Sequence, residues 1–210
     1  MQEFIPFDKI ARLNREAVIT EKIDGTNGSI LLVPVTEPHA DALIRDDVVA
    51  LYAGSRNRWL SEKSDNYGFA KWCIGNFDEL KKLGIGRHYG EWWGGGIQRR
   101  YGLTEKRFSL FNVGRWRENP GTCQHPGVWD AVEMKEGPSC CHVVPTIWRG
   151  VFDQFDCNSC LEILRSHGSF AAPGFMDPEG IVIYHEAAKK CFKVTLKDDA
   201  SPKSLVTPGA

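Results

Sequence analysis

No apolar run in this chain is longer than a strand, and that limit governs what it can fold into. The longest runs, Ile30 to Val35 and Ile181 to Tyr184, fall far short of the ~20 residues that span a bilayer. Alternating or β-branched stretches at Ala17 to Ile23, Ser29 to Val35, Val48 to Ala53, Arg107 to Val113, His142 to Ile147, Gly180 to His185 and Cys191 to Leu196 read as strands. Two segments carry a helical period instead. Asn66 to Leu83 sets Phe69, Trp72, Cys73, Phe77 and Leu80 on one face, with Asp65 as N-cap and Gly84 past the end; Asn158 to His167 stops at Gly168. Because strands and helices do not alternate, the pattern predicts an α+β fold of antiparallel β-sheets with flanking helices, not a doubly wound parallel sheet.

The 210 residues suit a single domain spanning 1–210, and a balance of 42% hydrophobic and 25% charged residues excludes disordered and fibrous classes. Met1 to Arg12 carries Glu3 and Asp8 and has neither a basic start nor a long apolar core, so a cytoplasmic location is expected. Seven cysteines without a secretory signal imply reduced thiols. Cys157 and Cys160, with Cys140, Cys141, His142, Cys123 and His125, can be drawn as a zinc site. A second cleanly spaced ligand pair is missing, however, and small buried hydrophobes are the plainer reading.

A net charge of −1 gives no global field for a polyanion, so any nucleic acid must bind locally. One stretch is basic: Arg99, Arg100, Lys106, Arg107, Arg115 and Arg117, interleaved with Tyr101, Phe108, Phe111 and Trp116 and set against Glu105 and Glu118. It reads equally as a phosphate-contacting surface or as solvated strand and loop faces.

The chemistry is concentrated in Glu21-Lys22-Ile23-Asp24-Gly25-Thr26-Asn27-Gly28, between two predicted strands. A lone Lys-x-Asp-Gly is weak, because Asp-Gly is an ordinary hairpin turn. Its weight comes from companions at other strand ends: Ser55-Arg56, Gly90-Glu91-Trp92-Trp93-Gly94, Phe108-Ser109-Leu110-Phe111, Glu179-Gly180-Ile181-Val182, and Lys193 in Cys191-Phe192-Lys193-Val194-Thr195. In that order, over Ile19 to Leu196, the set resembles the covalent nucleotidyltransferase superfamily of ATP-dependent ligases and mRNA capping enzymes. The Glu-Lys-Ile-x-Gly-Thr-Asn form and the run from Gly90 to Gln98 are most similar to RNA ligases, phage-type and actinobacterial ones included.

The resemblance implies a nucleotidyltransferase (ATP-grasp-like) ligase catalytic domain. In it Lys22 is the nucleophile that takes AMP from ATP, with Asp24, Glu179 and Lys193 completing the catalytic set. Lys193 would neutralise charge on the α-phosphate. Glu21, Ile23, Asn27, Arg56 and Glu91 are expected around the nucleotide, with Phe111 and Val182 sandwiching the base. Glu179 and Glu91 would hold Mg²⁺ or Mn²⁺ through oxygen ligands, as such ions prefer. An ordinary lysine, with pKa ≈ 10.4, is neutral in only ~1 of 2,500 molecules at pH 7, so nearby cations or desolvation must activate it. The expected partner is RNA bearing 5′-phosphate and 3′-hydroxyl ends, its phosphates met by Arg56, Arg58, Arg99 and Arg100 at the rim of the pocket. Capping-type transfer and a non-catalytic nucleotide- or RNA-binding module remain alternatives.

Two departures modify the picture. Where the family shows a second lysine two residues beyond Lys193, this chain has Thr195, with Lys197 displaced. Few residues follow Lys193, so neither an OB domain nor a helical C-terminal domain is expected, and a partner protein could supply the missing RNA grip. Lys22 also lies too near Met1 for a nicotinamide-binding domain, which favours ATP as donor over NAD.

Overall fold

Two β-sheets face one another across a cleft in the computed structural model, which is described for residues 3–7, 9–36, 41–116 and 137–197. The four-stranded sheet has the order β10-β9-β1-β8, built from β1 (Glu16–Lys22), β8 (Thr146–Val151), β9 (Gly180–His185) and β10 (Lys190–Thr195). The six-stranded sheet runs β3-β4-β2-β5-β6-β7, from β2 (Thr26–Pro34), β3 (Ile44–Arg45), β4 (Val49–Gly54), β5 (Gly86–Gly94), β6 (Lys106–Leu110) and β7 (Cys141–Val143). Neighbouring strands are antiparallel except β6 and β7, which pair in parallel. The α+β expectation therefore holds, with one parallel pair added.

Strand alternation decides which side of each sheet is dry. In β1, Ala17 and Ile19 point outward and bury against Cys157, Cys160, Leu161 and Leu164 of α4 (Gln154–His167), while Val18, Thr20 and Lys22 face the cleft. In β2, Ile30 and Leu32 pack with Leu51 and Ala53 against α1 (Phe69–Gly75) and α2 (Phe77–Leu80). A third cluster, Val18, Ile23, Trp93, Tyr101, Val113, Val144 and Ala172, draws on both sheets. Gly28 and Gly90 sit opposite each other in β2 and β5. A side chain at Gly28 would lie 2.8 Å from the Phe108 ring and 2.9 Å from that of Phe69, so these aromatics cross the sheet where it has no side chains.

Several elements differ from the sequence expectation for identifiable reasons. The single helix predicted over Asn66 to Leu83 breaks into α1, α2 and a 3₁₀ turn at Lys81–Leu83, with the non-helical Asn76 between the first two. Asp65 still serves its N-terminus: the carboxylate accepts from the Ala70 and Lys71 amides, reaching past the left-handed Gly68. The predicted strand His142 to Ile147 is divided between the sheets, β7 in one and β8 in the other, with Val144 and Pro145 crossing between them. The predicted strand Arg107 to Val113 ends at Leu110, and Val113–Trp116 forms the short α3. β5 escapes a periodicity search because its three glycines and paired tryptophans hide the alternation. No helix among the described residues is long and apolar enough to cross a membrane.

Candidate active site

Lys22 ends β1 and its side chain enters the cleft, a space of ≈ 730 Å³ lined from both sheets. Its Nζ lies 2.6 Å from Glu179 Oε2, with the lysine side chain 21% exposed and the carboxylate only 5%. Register produces this contact: Lys22 pairs with Gly180 across β1 and β9, and Glu179 immediately precedes that partner. Along the same rows, Thr20 pairs with Val182 and Val182 with Lys193, so the nucleophile candidate, the aliphatic candidate and the distal lysine line one face of one sheet.

The facing sheet supplies Glu91, Asn27, Arg56 and Phe111, all lining the cleft. Arg56 Nε donates to Asn27 Oδ1 at 2.9 Å. Phe111, just past β6, is left 41% exposed, as a ring awaiting a stacking partner would be. Glu91 is buried, and its Oε1 accepts from the Gly25 amide at 3.1 Å. Burial raises its carboxyl to about 7, opposed by the charge of Lys22 and by the Gly25 hydrogen bond, with Glu179 and Asp24 adding to the rise. Gly25 is required there for closeness rather than for a turn, since a Cβ would stand 2.5 Å from the Trp92 carbonyl oxygen and 3.1 Å from Glu91 Cγ.

Three expected site residues serve the frame of the cleft. The Glu21 side chain leaves β1 on the face opposite Lys22, where it accepts from the Ser169 hydroxyl at 2.6 Å and from the Phe170 and Ala171 amides at 2.8 and 2.9 Å. Burial raises its carboxyl, and these hydrogen bonds oppose the rise. Ile23 is buried in the cluster joining the sheets and also lines the cleft. Asp24 is absent from the cleft lining. Its carboxylate accepts from Arg99 Nε at 3.1 Å and its amide donates to the Tyr101 hydroxyl at 2.8 Å.

The four arginines expected at the rim are placed differently from one another. Arg99 is committed to Asp24 and to Asp177, the latter at 2.9 Å, and Lys197 completes the chain by meeting Asp177 at 2.7 Å. Arg58 donates to the backbone carbonyls of Ser64 and Asp65. Arg100 does not line the cleft, which leaves Arg56 as the member of the four that does. In the wider basic stretch Lys106 donates to the Tyr67 carbonyl, Arg107 pairs with Glu105, and Arg115, which also lines the cleft, donates to the Leu83 carbonyl. Arg117, Glu118, Cys123 and His125 lie outside the described residues. Cys157 and Cys160 are buried under β1, and among the described residues no group of three or more His, Cys, Asp or Glu converges as a metal site.

Ser169 and Asp177 were not singled out by sequence reasoning, and Tyr101 entered it only as an aromatic within the basic stretch. The available signal near Tyr101 was the glycine-rich run from Gly94 to Gly102, within which Gln98, Arg100 and Tyr101 take positive φ. Such conformations persist only where surrounding contacts over-determine them, as the Asp24 contacts do.

Residues 15–196 of this sequence match the RNA ligase family. The chain belongs to that family. No curated protein matches it. Among solved structures it is similar to the RNA ligase of Naegleria gruberi. Two variants of that ligase, both solved with ATP and Mn, align at 15% and 16% identity, each with a TM-score of 0.51, covering 88% of this chain and 51% of theirs. An apo variant aligns at 15% identity and a TM-score of 0.50, covering 87% and 50%. At such identities the likeness is one of fold, and this RNA ligase family member spans about half the length of those chains.

Proposed function

We propose that this chain is a single-domain ATP-dependent RNA ligase catalytic unit acting through a lysyl-AMP intermediate on Lys22. The observation that carries this reading is the buried Glu179 carboxylate 2.6 Å from the Nζ of Lys22, a lysine that lines one cleft with Glu91, Phe111, Val182 and Lys193. Lys22 Nζ attacks the α-phosphorus of ATP; a P–N bond forms, the P–O bond to pyrophosphate breaks and the amine loses its proton. An oxygen of the RNA 5′-phosphate then attacks the same phosphorus, breaking the P–N bond and returning the lysine. Finally a 3′-hydroxyl oxygen attacks the phosphorus of the RNA 5′-phosphate; the hydroxyl loses its proton as the new P–O bond forms, the anhydride P–O bond to the adenylate breaks and AMP leaves with that electron pair.

Each cleft residue has a part in this scheme. Lys193, across β9 from Thr20, meets charge on the α-phosphate. Phe111 and Val182 enclose the base, while Asn27, braced by Arg56, meets the ribose. A divalent cation fits the donor set, because Glu179 and Glu91 offer hard carboxylate oxygens and Mg²⁺-like ions commonly take one or two carboxylates plus substrate phosphates. When bound, it would neutralise phosphate charge; the Naegleria gruberi structures carrying ATP and Mn support that choice. The substrate is RNA with 5′-phosphate and 3′-hydroxyl ends, in a repair role in the cytoplasm, with a partner protein adding grip on the RNA.

Incubation with α-labelled ATP and Mg²⁺, followed by denaturing electrophoresis, tests the first step. The native protein retains covalent label and Lys22→Ala retains none. Label persisting in Lys22→Ala would remove the lysine from its role.

A further inference from the structure

Beyond the nucleotide pocket, the cleft face of the six-stranded sheet continues outward along β5. Side chains of alternate residues share that face, so Glu91, Tyr89 and Arg87 follow one another, with about 13 Å of strand between the first and last. Register sets Tyr89 beside Ser29 and Gly54, and Arg87 beside Leu31 and Tyr52. At Gly54 the missing side chain leaves room that the Trp59 ring occupies: a Cβ there would lie 3.3 Å from Trp59 Cε3. Trp59 is fixed by a bridge to Gly54, by the Tyr52 ring at 5.5 Å and by the Arg87 guanidinium 5.0 Å over its ring.

Trp59 nevertheless keeps 47% of its surface exposed and Tyr89 keeps 57%. Within these two rows the side chains are aromatic, aliphatic, hydroxyl or cationic, and the first carboxylate met is Glu91 in the next row inward. A protein partner would be met by aliphatic surface. Rigid π-faces held beside arginines are instead the chemistry of base stacking combined with phosphate attraction. An internal base of a duplex already has both faces stacked on its neighbours, so it cannot use this surface without the duplex opening.

We propose that Trp59, Tyr89 and Arg87 form a subsite for an unpaired base and its phosphate in a single-stranded RNA segment adjoining the end held at Lys22. This rests on the ligase reading for the identity of the strand, but its test reads RNA binding directly. Fluorescence anisotropy with a labelled, 5′-phosphorylated single-stranded RNA lacking self-complementarity is compared with a blunt duplex of the same sequence. The native protein binds the single strand more tightly. Trp59→Ala weakens single-strand binding on the order of tenfold or more, leaves duplex binding unchanged and retains self-adenylylation, whereas Trp59→Phe recovers most of the affinity. Arg87→Gln reduces the slope of log K against log salt by about 1. Unchanged single-strand binding in Trp59→Ala, or equal losses for single strand and duplex, would overturn the subsite. Should Trp59→Ala fail to fold by circular dichroism, Tyr89→Ala takes its place with the same expected loss. Absence of label in the native protein would defeat the ligase reading and leave the anisotropy result standing.

Discussion

Glu179 and Glu91 both lie near Lys22, yet their environments set them different tasks. Glu179 makes the direct contact at 2.6 Å, so its geometry should matter more than its mere charge. Glu179→Ala is expected to lose most self-adenylylation, while Glu179→Asp, with the carboxylate retained on a shorter arm, keeps a measurable part; normal labelling of Glu179→Ala across Mg²⁺ concentrations would refute this assignment. Glu91 is a carboxyl that burial pushes up to about 7. Its folded-state value is raised from 4.5 to about 7, so between those values the folded chain keeps a proton that the unfolded chain has lost. Its contribution to stability is therefore complete below about pH 4.5 and is lost as pH rises through about 7, a change on the order of 3 kcal/mol. Urea unfolding at several pH values should show a shallower fall over this window in Glu91→Gln than in the native protein, and parallel profiles would show that another group is responsible.

At the scale of elements, the turn between β1 and β2 is held from outside by the segment Gly94 to Gly102. Tyr101 accepts the Asp24 amide proton and Arg99 pairs with the Asp24 carboxylate. Tyr101→Phe leaves that amide without its partner, at a cost of about 1–3 kcal/mol, measurable as a lower urea midpoint. Arg99→Ala should slow self-adenylylation and leave the salt dependence of RNA binding nearly unchanged; the opposite result would restore Arg99 to the RNA-contacting rim. This division also explains what the sequence made legible. The order of motifs singled out Lys22, Glu91, Phe111 and Val182, which the structure brings to one cleft, and Glu179, which it sets against Lys22, because each lies at a strand end where a local motif could mark it. The ion pairs of Arg99 could not be read in advance, because Asp24 and Asp177 are distant in sequence and a basic run looks the same whether its charges are spent or spare. The strand over His142 to Ile147 was drawn whole because composition carries no mark of the crossing at Val144 and Pro145 between two sheets.

On the scale of the whole molecule, the four-stranded sheet is assembled from strands far apart in the chain. β1 is paired on one side by β8, through Glu16 with Val151, and on the other by β9, through Lys22 with Gly180. Synthesis from the N-terminus therefore delivers the nucleophile candidate early and its neighbours late. Contacts of such long range slow folding, and until they form β1 is a strand with both edges open. Limited proteolysis of nascent chains arrested before Gly180 should cut within Glu16–Lys22, where the finished protein resists; protection at the shorter length would mean that β1 finds another partner first. Until β9 emerges, Lys22 has no Glu179 beside it, so the amine proposed as nucleophile and the carboxylate that holds it meet only after the whole stretch between them has been made.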